Sequence, residues 1–336
     1  SKSFFENLLN ASFKLRLDDS GISGRTKNLL NQPSPRLSLS YNMQNGWSLN
    51  ANTGLYQQLP NNTILAYRNN SGVLENQNNN LKYTQSLHGV LGVEKRFQSN
   101  FKISLEGFYK KYNHYPVSQL TGISLANVGA DYGIIGNEPV NFTGKGKSYG
   151  AELFIQQKLW KNFYGWLAYT YVRSYFSNAD GTYAPSSWDQ VHLLNLILGK
   201  RFKKNWEAGM KLRYSGGSPY TPYDTDLSSL KSYWDVSGKG FIDYDRINTL
   251  RIPSNYQVDF RVDKKWFYKK WSLNLYFDMQ NATQATTTGV PILTVERNTD
   301  GTPKEITGSN PPRYQTKMID NNFKTFVETI GIIIEF

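Results

Sequence analysis

Apolar and polar residues alternate in short blocks that recur along almost the whole chain. In the block from Leu9 to Leu17, every second residue is apolar and the residues between them are polar or charged. A period of two places successive side chains on opposite faces of a β-strand. About twelve blocks show this period, and the strands that they predict lie near residues 9–18, 37–43, 47–56, 87–97, 101–110, 149–159, 163–173, 192–202, 206–215, 256–266, 271–280 and 329–336. The pattern predicts an all-β protein.

The connections between these strands alternate between tight turns and long polar loops. Gln44-Asn45-Gly46 and Lys161-Asn162 are two of the tight turns, and Asn-Gly supplies the positive φ angles that a hairpin needs. Most of the other connections span roughly 15 to 40 residues. A closed meander places its short turns at one end and its long loops at the other, whereas a soluble sandwich mixes them. The spacing therefore favours an antiparallel up-and-down barrel.

The polar face of the strands carries full charges. Asp259, Arg261 and Asp263 alternate along one predicted strand. A dry core with these charges would be costly, so this face must meet water and the apolar face must meet lipid or another sheet. Only closed barrels expose apolar strands to lipid with every backbone group paired. We therefore predict a transmembrane β-barrel.

The last eight residues, 329–336, form a hydrophobic strand that ends on an aromatic residue. The spacing of four of them resembles the C-terminal assembly signal of Gram-negative outer-membrane barrels: Thr329, Gly331, Ile334 and Phe336. This resemblance implies location in the outer membrane, contact with its lipid and recognition by the barrel-assembly machinery. The alternative is an ordinary buried last strand.

Composition agrees with the barrel and excludes several other classes. Only 39% of the 336 residues are hydrophobic, and no apolar run approaches the roughly 18 residues of a spanning helix. Aromatic residues make up 15%, which suits the aromatic girdles of a barrel. Cysteine is absent, which excludes disulfides and thiol catalysis. The net charge of +12 comes from scattered residues, so no nucleic-acid partner is predicted.

Six stretches together resemble one family. They are residues Pro35–Tyr41, Gly165–Tyr171, Trp188–Asn195, Tyr214–Pro222, Asp243–Asn248 and Arg251–Pro253. They look like parts of the C-terminal barrel of TonB-dependent outer-membrane receptors, in particular those of Bacteroidetes, and the resemblance covers essentially the whole chain.

The resemblance implies a larger protein than twelve strands. Receptors of this family have a barrel of about 22 strands, a plug domain in its lumen and an N-terminal segment that contacts TonB. Residues 1–336 are therefore expected to be the C-terminal part of the barrel, without the plug and the N-terminal strands. The implied function is ligand-gated, energised import of a scarce nutrient such as an iron chelate, a vitamin, a glycan or a peptide.

Two other functions stay open at this point. One is a passive outer-membrane porin complete in itself, and the other is a soluble all-β binding protein. The alternation of loop lengths favours the receptor and the porin over the soluble protein, and the family stretches favour the receptor over the porin.

A selective ligand site needs aromatic surfaces and a few polar groups that converge at the loop end. The candidates lie at or beyond the loop-side ends of their strands: Tyr56, Trp188, His192, Arg213, Tyr220 and Tyr223. The alternative role for each is packing in a girdle or a loop.

Evidence for other chemistry is weak in the sequence. Asp189 and His192 have a spacing that suggests an acid–base pair, but His192 falls on the apolar face of its strand, so no enzyme is predicted. Four loop carboxylates could bind calcium, although solvated loop turns are the commoner explanation for such residues: Asp224, Asp226, Asp243 and Asp245. No metal and no cofactor are predicted.

Overall fold

The computed structural model describes residues 2–5, 8–23, 26–98, 100–129 and 135–336. Its strands are β1 (Lys2–Phe4), β2 (Leu9–Leu17), β3 (Pro33–Asn42), β4 (Trp47–Gln58), β5 (Thr84–Arg96), β6 (Phe101–Ser118), β7 (Val140–Trp160), β8 (Phe163–Ser177), β9 (Tyr183–Pro185), β10 (Val191–Phe202), β11 (Trp206–Ser215), β12 (Pro219–Tyr220), β13 (Tyr223–Asp224), β14 (Phe241–Ile242), β15 (Leu250–Arg251), β16 (Asn255–Phe267), β17 (Ser272–Gln280), β18 (Thr286–Thr288), β19 (Ile292–Val295), β20 (Thr316–Ile319), β21 (Asn322–Lys324) and β22 (Val327–Glu335).

The helices are short and lie in the long loops. They are α1 (Asn62–Ala66), α2 (Glu75–Asn78), α3 (Thr225–Ser229) and α4 (Lys231–Ser237), with 3₁₀ turns at Leu29–Asn31, Gln44–Gly46, Lys203–Asn205 and Tyr244–Arg246. In the described part of the chain, no helix is long and apolar enough to cross a membrane.

One antiparallel sheet of 14 strands contains all twelve predicted strands, together with the short strands β1 and β9. The order is β1-β2-β3-β4-β5-β6-β7-β8-β10-β11-β16-β17-β22, and β9 pairs with β8 at the side. Each long strand pairs with the next long strand of the sequence, as in an up-and-down meander. The predicted turns are confirmed, because Asn45, Gly46, Lys161 and Asn162 have φ angles of 59°, 75°, 46° and 66°.

Two strands extend well past their predicted ends. The alternation ended near residue 110 and resumed near 149, yet β6 runs to Ser118 and β7 begins at Val140. The pairing of β6 with β7 shifts register between Tyr112 and Val117, and His114 has a φ of 58°. A bulge of this kind inserts an unpaired residue, so the period of two is lost although the strand continues.

One face of the sheet is apolar and exposed, which we call the outward face. The C-terminal strand is a clear example, because Ile330, Ile332 and Ile334 are 75%, 65% and 49% exposed. Their cross-strand partners Phe277, Leu275 and Leu273 lie on the same face. This exposure agrees with the prediction of a lipid-facing surface.

The buried apolar clusters lie in the loop region rather than along the sheet. The largest joins α1 to the start of β7 and comprises Ile64, Leu65, Leu81, Leu125, Val140 and Phe142. A second packs α4 against the last long loop and comprises Trp234, Leu293, Val295 and Tyr314. The long loops therefore pack together as an ordered layer at one end of the sheet.

Candidate functional site

The opposite face of the sheet, which we call the lumen face, carries polar and charged side chains. On β16, Arg261 donates to Asp263 at 2.8 Å, and its guanidinium lies 4.0 Å from the centre of the Tyr276 ring on β17. These charges are paired beside one another within the sheet, as a water-filled interior allows.

Arg36, Tyr56, His88 and Lys110 come together on the lumen face near the loop end, and we call them the lumen cluster. The guanidinium carbon of Arg36 lies 4.2 Å from the centre of the Tyr56 ring, within the range of a cation–π contact. The Tyr56 and His88 rings stack with centroids 4.3 Å apart. His88 Nε2 is 2.7 Å from Ser86 Oγ, which fixes the orientation of the imidazole. The result is an aromatic surface bordered by basic groups.

Strand register explains why these four residues meet. Arg36 pairs with Gly54, Gly54 with His88, and His88 with Lys110, so one row crosses β3, β4, β5 and β6. A Cβ atom at Gly54 would lie only 3.0 Å from Cγ of Arg36. The missing side chain at Gly54 is therefore what lets Arg36 lie across β4.

The electrostatics of this row favour an anion. Lys14 on β2 pairs directly with Arg36, and like charges directly opposite each other destabilise a sheet. The row from Lys14 to Lys110 contains no acidic residue. In addition, Nε of Arg36 is buried with no hydrogen-bond partner in the described part of the chain. A carboxylate or another anionic group bound here would satisfy both the charge and the orphaned donor.

Two of the six predicted ligand residues lie on the lumen face. Tyr56 is the centre of the lumen cluster. Arg213 lies further round the sheet on β11, and its Nη2 is 3.3 Å from Oδ2 of Asp259. Arg213 therefore already has a carboxylate partner, whereas the lumen cluster has none within its row.

Three others lie in the loop region. Tyr220 and Tyr223 border one crevice of about 60 Å³, which Asn127 and Asn248 also line. Trp188 is exposed, and its ring packs edge-on against Phe176 with centroids 6.0 Å apart. The crevice is too small to enclose a ligand larger than a few atoms. These three aromatic residues could therefore contact a larger ligand only from one side.

His192 lies on the outward face, as its predicted position in the alternation required. It pairs with Tyr171, and its Nδ1 is 2.8 Å from the hydroxyl of Tyr169. Asp189 does not pair with it. Instead, the buried Asp189 carboxylate contacts Arg173 and Arg251. The side chains of Asp189 and His192 thus have separate partners. The aromatic neighbours of His192 on the outward face agree with the alternative role of packing in a girdle.

The loop carboxylates cap helices and pair with arginines. Asp224 accepts from the amides of Asp226 and Leu227 at 2.9 Å, which caps α3. Asp243 accepts from Arg246 at 2.5 Å, and this hydrogen bond lowers the pKa of Asp243. No cluster of three or more metal-ligating side chains occurs among the residues that the structure describes.

The predicted assembly signal forms most of β22. Thr329 pairs with Asp278 and Gly331 with Tyr276, while Ile334 is on the outward face with Phe336 beyond it. Gly331 leaves room for a ring, because a Cβ there would lie 2.2 Å from Cζ of Tyr276. Gly331 therefore lets the Tyr276 ring lie across β22 on the lumen face.

Sequence reasoning missed Arg36, His88 and Lys110 as site residues. Each was recognisable as a polar-face residue from the alternation within its own strand. Their meeting depends on the register between strands, which could have been estimated by aligning the strands at their tight turns.

The exposed apolar face, the charged lumen face and the layer of long loops at one end define a transmembrane β-barrel of the outer membrane. The family model "TonB dependent receptor-like, beta-barrel" matches residues 4–282, so the chain belongs to this family. Its members are outer-membrane transport receptors of Gram-negative bacteria and not enzymes.

Solved structures share the fold at low sequence identity. FpvA of Pseudomonas aeruginosa bound to heterologous pyoverdines has 17% identity and a TM-score of 0.52, with 77% of this chain and 30% of that chain covered. The FrpB iron transporter of Neisseria meningitidis has 11% identity and a TM-score of 0.53, with 91% of this chain and 39% of that chain covered. The ferric yersiniabactin uptake receptor FyuA of Yersinia pestis has 12% identity and a TM-score of 0.52, with 91% of this chain and 38% of that chain covered.

The chain spans 30% to 39% of the length of these solved structures. The comparison with curated proteins gives no match.

Proposed function

We propose that residues 1–336 form the C-terminal part of the barrel of a receptor that imports a scarce nutrient across the outer membrane. In this proposal, a plug domain and further strands belong to the same receptor, and TonB supplies energy through its N-terminal part. Family membership supports the proposal. So do the structural relatives, which include a ferripyoverdine receptor, a ferric yersiniabactin uptake receptor and a ferric citrate transporter.

The lumen cluster is the observation on which the ligand class depends. An aromatic surface in a row that holds Lys14, Arg36 and Lys110 and no acid suits a ligand with an anionic group and a flat or apolar part. Among the nutrients considered, a ferric chelate with carboxylate groups fits this description better than a neutral glycan. Tyr220, Tyr223 and Trp188 would contact such a ligand from the loop side, and Arg213 would contribute a further charge.

Ligand binding by the full-length receptor tests this proposal. Arg36→Ala removes one charge-assisted contact worth about 1.5–3 kcal/mol, which is roughly a 10- to 150-fold weaker Kd. Arg36→Lys should recover only part of this loss, because lysine cannot stack on Tyr56 as a guanidinium does. Isothermal titration with ferric citrate, ferric pyoverdine and the electrically neutral cyanocobalamin would measure the effect.

A matched control is Arg201→Ala, which removes a lumen-face arginine at the turn end that pairs with Glu207 at 3.2 Å. We expect this variant to bind as the wild type does. Equal losses in both variants would contradict the role of the lumen cluster, and tighter binding of the neutral ligand would contradict the ligand class.

Energy coupling distinguishes the receptor from a passive porin. Uptake by cells that express the full-length protein should stop when TonB is deleted. Uptake that continues in the deletion strain, together with leakage of unrelated small solutes, would instead support the porin.

A further inference from the structure

Basic residues also occur on the outward face, where β6, β7 and β8 approach the loop end. Lys111 pairs directly with Lys147, and Arg173 lies in the neighbouring row opposite Tyr149. We call Lys111, Lys147 and Arg173 the basic rim. Their strand neighbours Lys110, Ser148 and Ser174 face the lumen, so the alternation fixes the rim on the lipid side.

Among the residues that the structure describes, Arg173 is the rim residue with a carboxylate partner, and neither Lys111 nor Lys147 forms a salt bridge. Lys147 lies over the rings of Tyr175 and Tyr183, 5.9 and 5.1 Å from their centroids, and not beside a carboxylate. Arg173 Nε is 3.3 Å from Asp189, but that single carboxylate also binds Arg251. Because Lys111 and Lys147 are like charges directly opposite each other, the pair is destabilising unless an anion lies between them.

An apolar groove lies directly next to the rim on the same face. It has a volume of about 760 Å³, and its floor is lowered by small residues at Ala51, Gly89, Gly107 and Ala151. A Cβ at Gly89 or Gly107 would meet nothing within 4 Å, so these positions are open space. Tyr109 and Tyr149 line the groove at the end nearest the rim, and each is two residues from a rim lysine, about 7 Å along the strand.

The groove continues toward the turn end. A second outward groove of about 610 Å³ shares Leu39, Ala51, Leu91 and Gly107 with the first. The two together form an apolar surface that runs from the rim into the membrane. Basic groups at one end of such a surface match a molecule with an anionic head and several apolar chains.

We propose that the basic rim and the apolar groove bind one phosphorylated glycolipid of the outer leaflet. The long loops of an outer-membrane barrel are extracellular, so the rim lies at the level of the outer-leaflet headgroups. Lys111 and Lys147 bind the phosphate, Arg173 and the tyrosines border the sugar, and the acyl chains lie in the groove. Charged side chains on the lipid face cost little near the interface, and each basic group there attracts an anionic headgroup.

The full-length protein in detergent, examined by native mass spectrometry with added lipid A, tests the proposal. Each basic group at a membrane surface is worth about a factor of five in affinity, so Lys111→Gln with Lys147→Gln should weaken binding roughly 25-fold. Gly89→Leu keeps the charges and fills the groove, and it should also reduce the lipid-bound fraction. Dephosphorylated lipid A should bind poorly to the wild type, and free inorganic phosphate should not displace the lipid.

The matched control changes two outward lysines at the turn end. Lys95 and Lys264 also lie over aromatic rings, Trp47 at 5.1 Å and Trp206 at 5.4 Å. Lys95→Gln with Lys264→Gln removes the same amount of charge at the level of the inner leaflet, and it should leave binding of the outer-leaflet lipid unchanged. Wild-type binding by the rim variant, or an equal loss in the control, would overturn the proposal. Displacement by inorganic phosphate would also overturn it, because it would make the site one for a free anion.

Discussion

The Asp189 carboxylate joins three separate parts of the loop end, and its removal should loosen all three. It accepts from the backbone amide of Ser174 on β8 at 2.7 Å and from Arg173 at 3.3 Å. It also binds Arg251 of β15, which in turn donates to the carbonyl of Gly217 at 2.9 Å. Asp189→Ala would remove the carboxylate contacts with Ser174, Arg173 and Arg251 at once, while the hydrogen bonds of Arg251 to the carbonyls of residues 189 and 217 would stay.

The expected cost follows from the burial of the group. The Asp189 side chain is 0% exposed, and breaking a buried ion pair from one side costs about 3–5 kcal/mol. The Arg173 and Arg251 side chains are 26% and 33% exposed, so water can partly replace the carboxylate. The Ser174 amide is left without its acceptor, which alone costs about 1–3 kcal/mol. We therefore expect a loss of about 3 kcal/mol, or roughly 150-fold more frequent local opening.

Amide hydrogen exchange of the full-length protein measures this opening. Exchange should accelerate at Ser174 and in peptides from residues 183–190 and 250–252, while peptides from β16 and β17 stay unchanged. Asp180→Ala is the control, because Asp180 is exposed in the same loop and bonds only locally to Thr182. Exchange at Ser174 that rises less than threefold in Asp189→Ala would refute the proposed anchor.

Three further perturbations test other parts of the structure. Gly331→Val forces a side chain against Tyr276 and should destabilise the barrel by about 1–3 kcal/mol in urea titrations. The control Ile332→Val, on the outward face, should cost less. Equal losses of stability in the two variants would contradict the close contact between Gly331 and Tyr276. Asp243 has a lowered pKa because Arg246 donates to it, so its stabilisation is present above the unfolded pKa of about 3.9 and is lost as pH falls through the folded pKa. The protection factor of the Asp245 amide, which corrects for the slower intrinsic exchange at low pH, should fall with acidification. Asp243→Asn should abolish that pH dependence. The hydrogen bond to Glu305 raises the pKa of Lys231, so the link between α4 and the last long loop is present below the unfolded pKa of about 10.4 and is lost as pH rises through the folded pKa. Proteolysis of that loop should increase at high pH in the wild type, and in Lys231→Met it should be independent of pH over that range.

The strands could be predicted from the sequence because each leaves a local signal. Alternation within ten residues is enough to identify β2 or β11, and tight turns mark their ends. The signal failed in the outer parts of β6 and β7, where the bulge at His114 interrupts the period.

The loop elements could not be predicted for a different reason. Arg313 donates to the carbonyl of Asp226 and to Ser229 Oγ, contacts that join α3 to a residue more than eighty positions away. Short helices in a long loop are marginal by themselves, so contacts of this kind decide whether they form. No window of local sequence contains both partners.

The candidate site shows the same division. Tyr56 was predicted as an isolated aromatic residue near a strand end, and the structure gives it partners on two other strands, Arg36 and His88. Its predicted role in ligand binding stays a prediction. Residue type and strand phase are local properties, but the grouping of basic residues around a ring is a property of the register across β3 to β6.

Register also links the two proposed binding surfaces. Lys110 and Lys111 are consecutive on β6, and the alternation sends the first to the lumen cluster and the second to the basic rim. The tight turn before β6, in which the amide of Phe97 donates to the carbonyl of Phe101 at 2.8 Å, sets the pairing of β5 with β6. A slip of one residue would move Lys110 to the lipid side and Lys111 to the lumen. Because the slip would also turn Phe108 outward and Tyr109 inward, each surface would exchange both a basic and an aromatic residue. The residues that each of these two surfaces presents therefore depend on the turn that sets the register of β6.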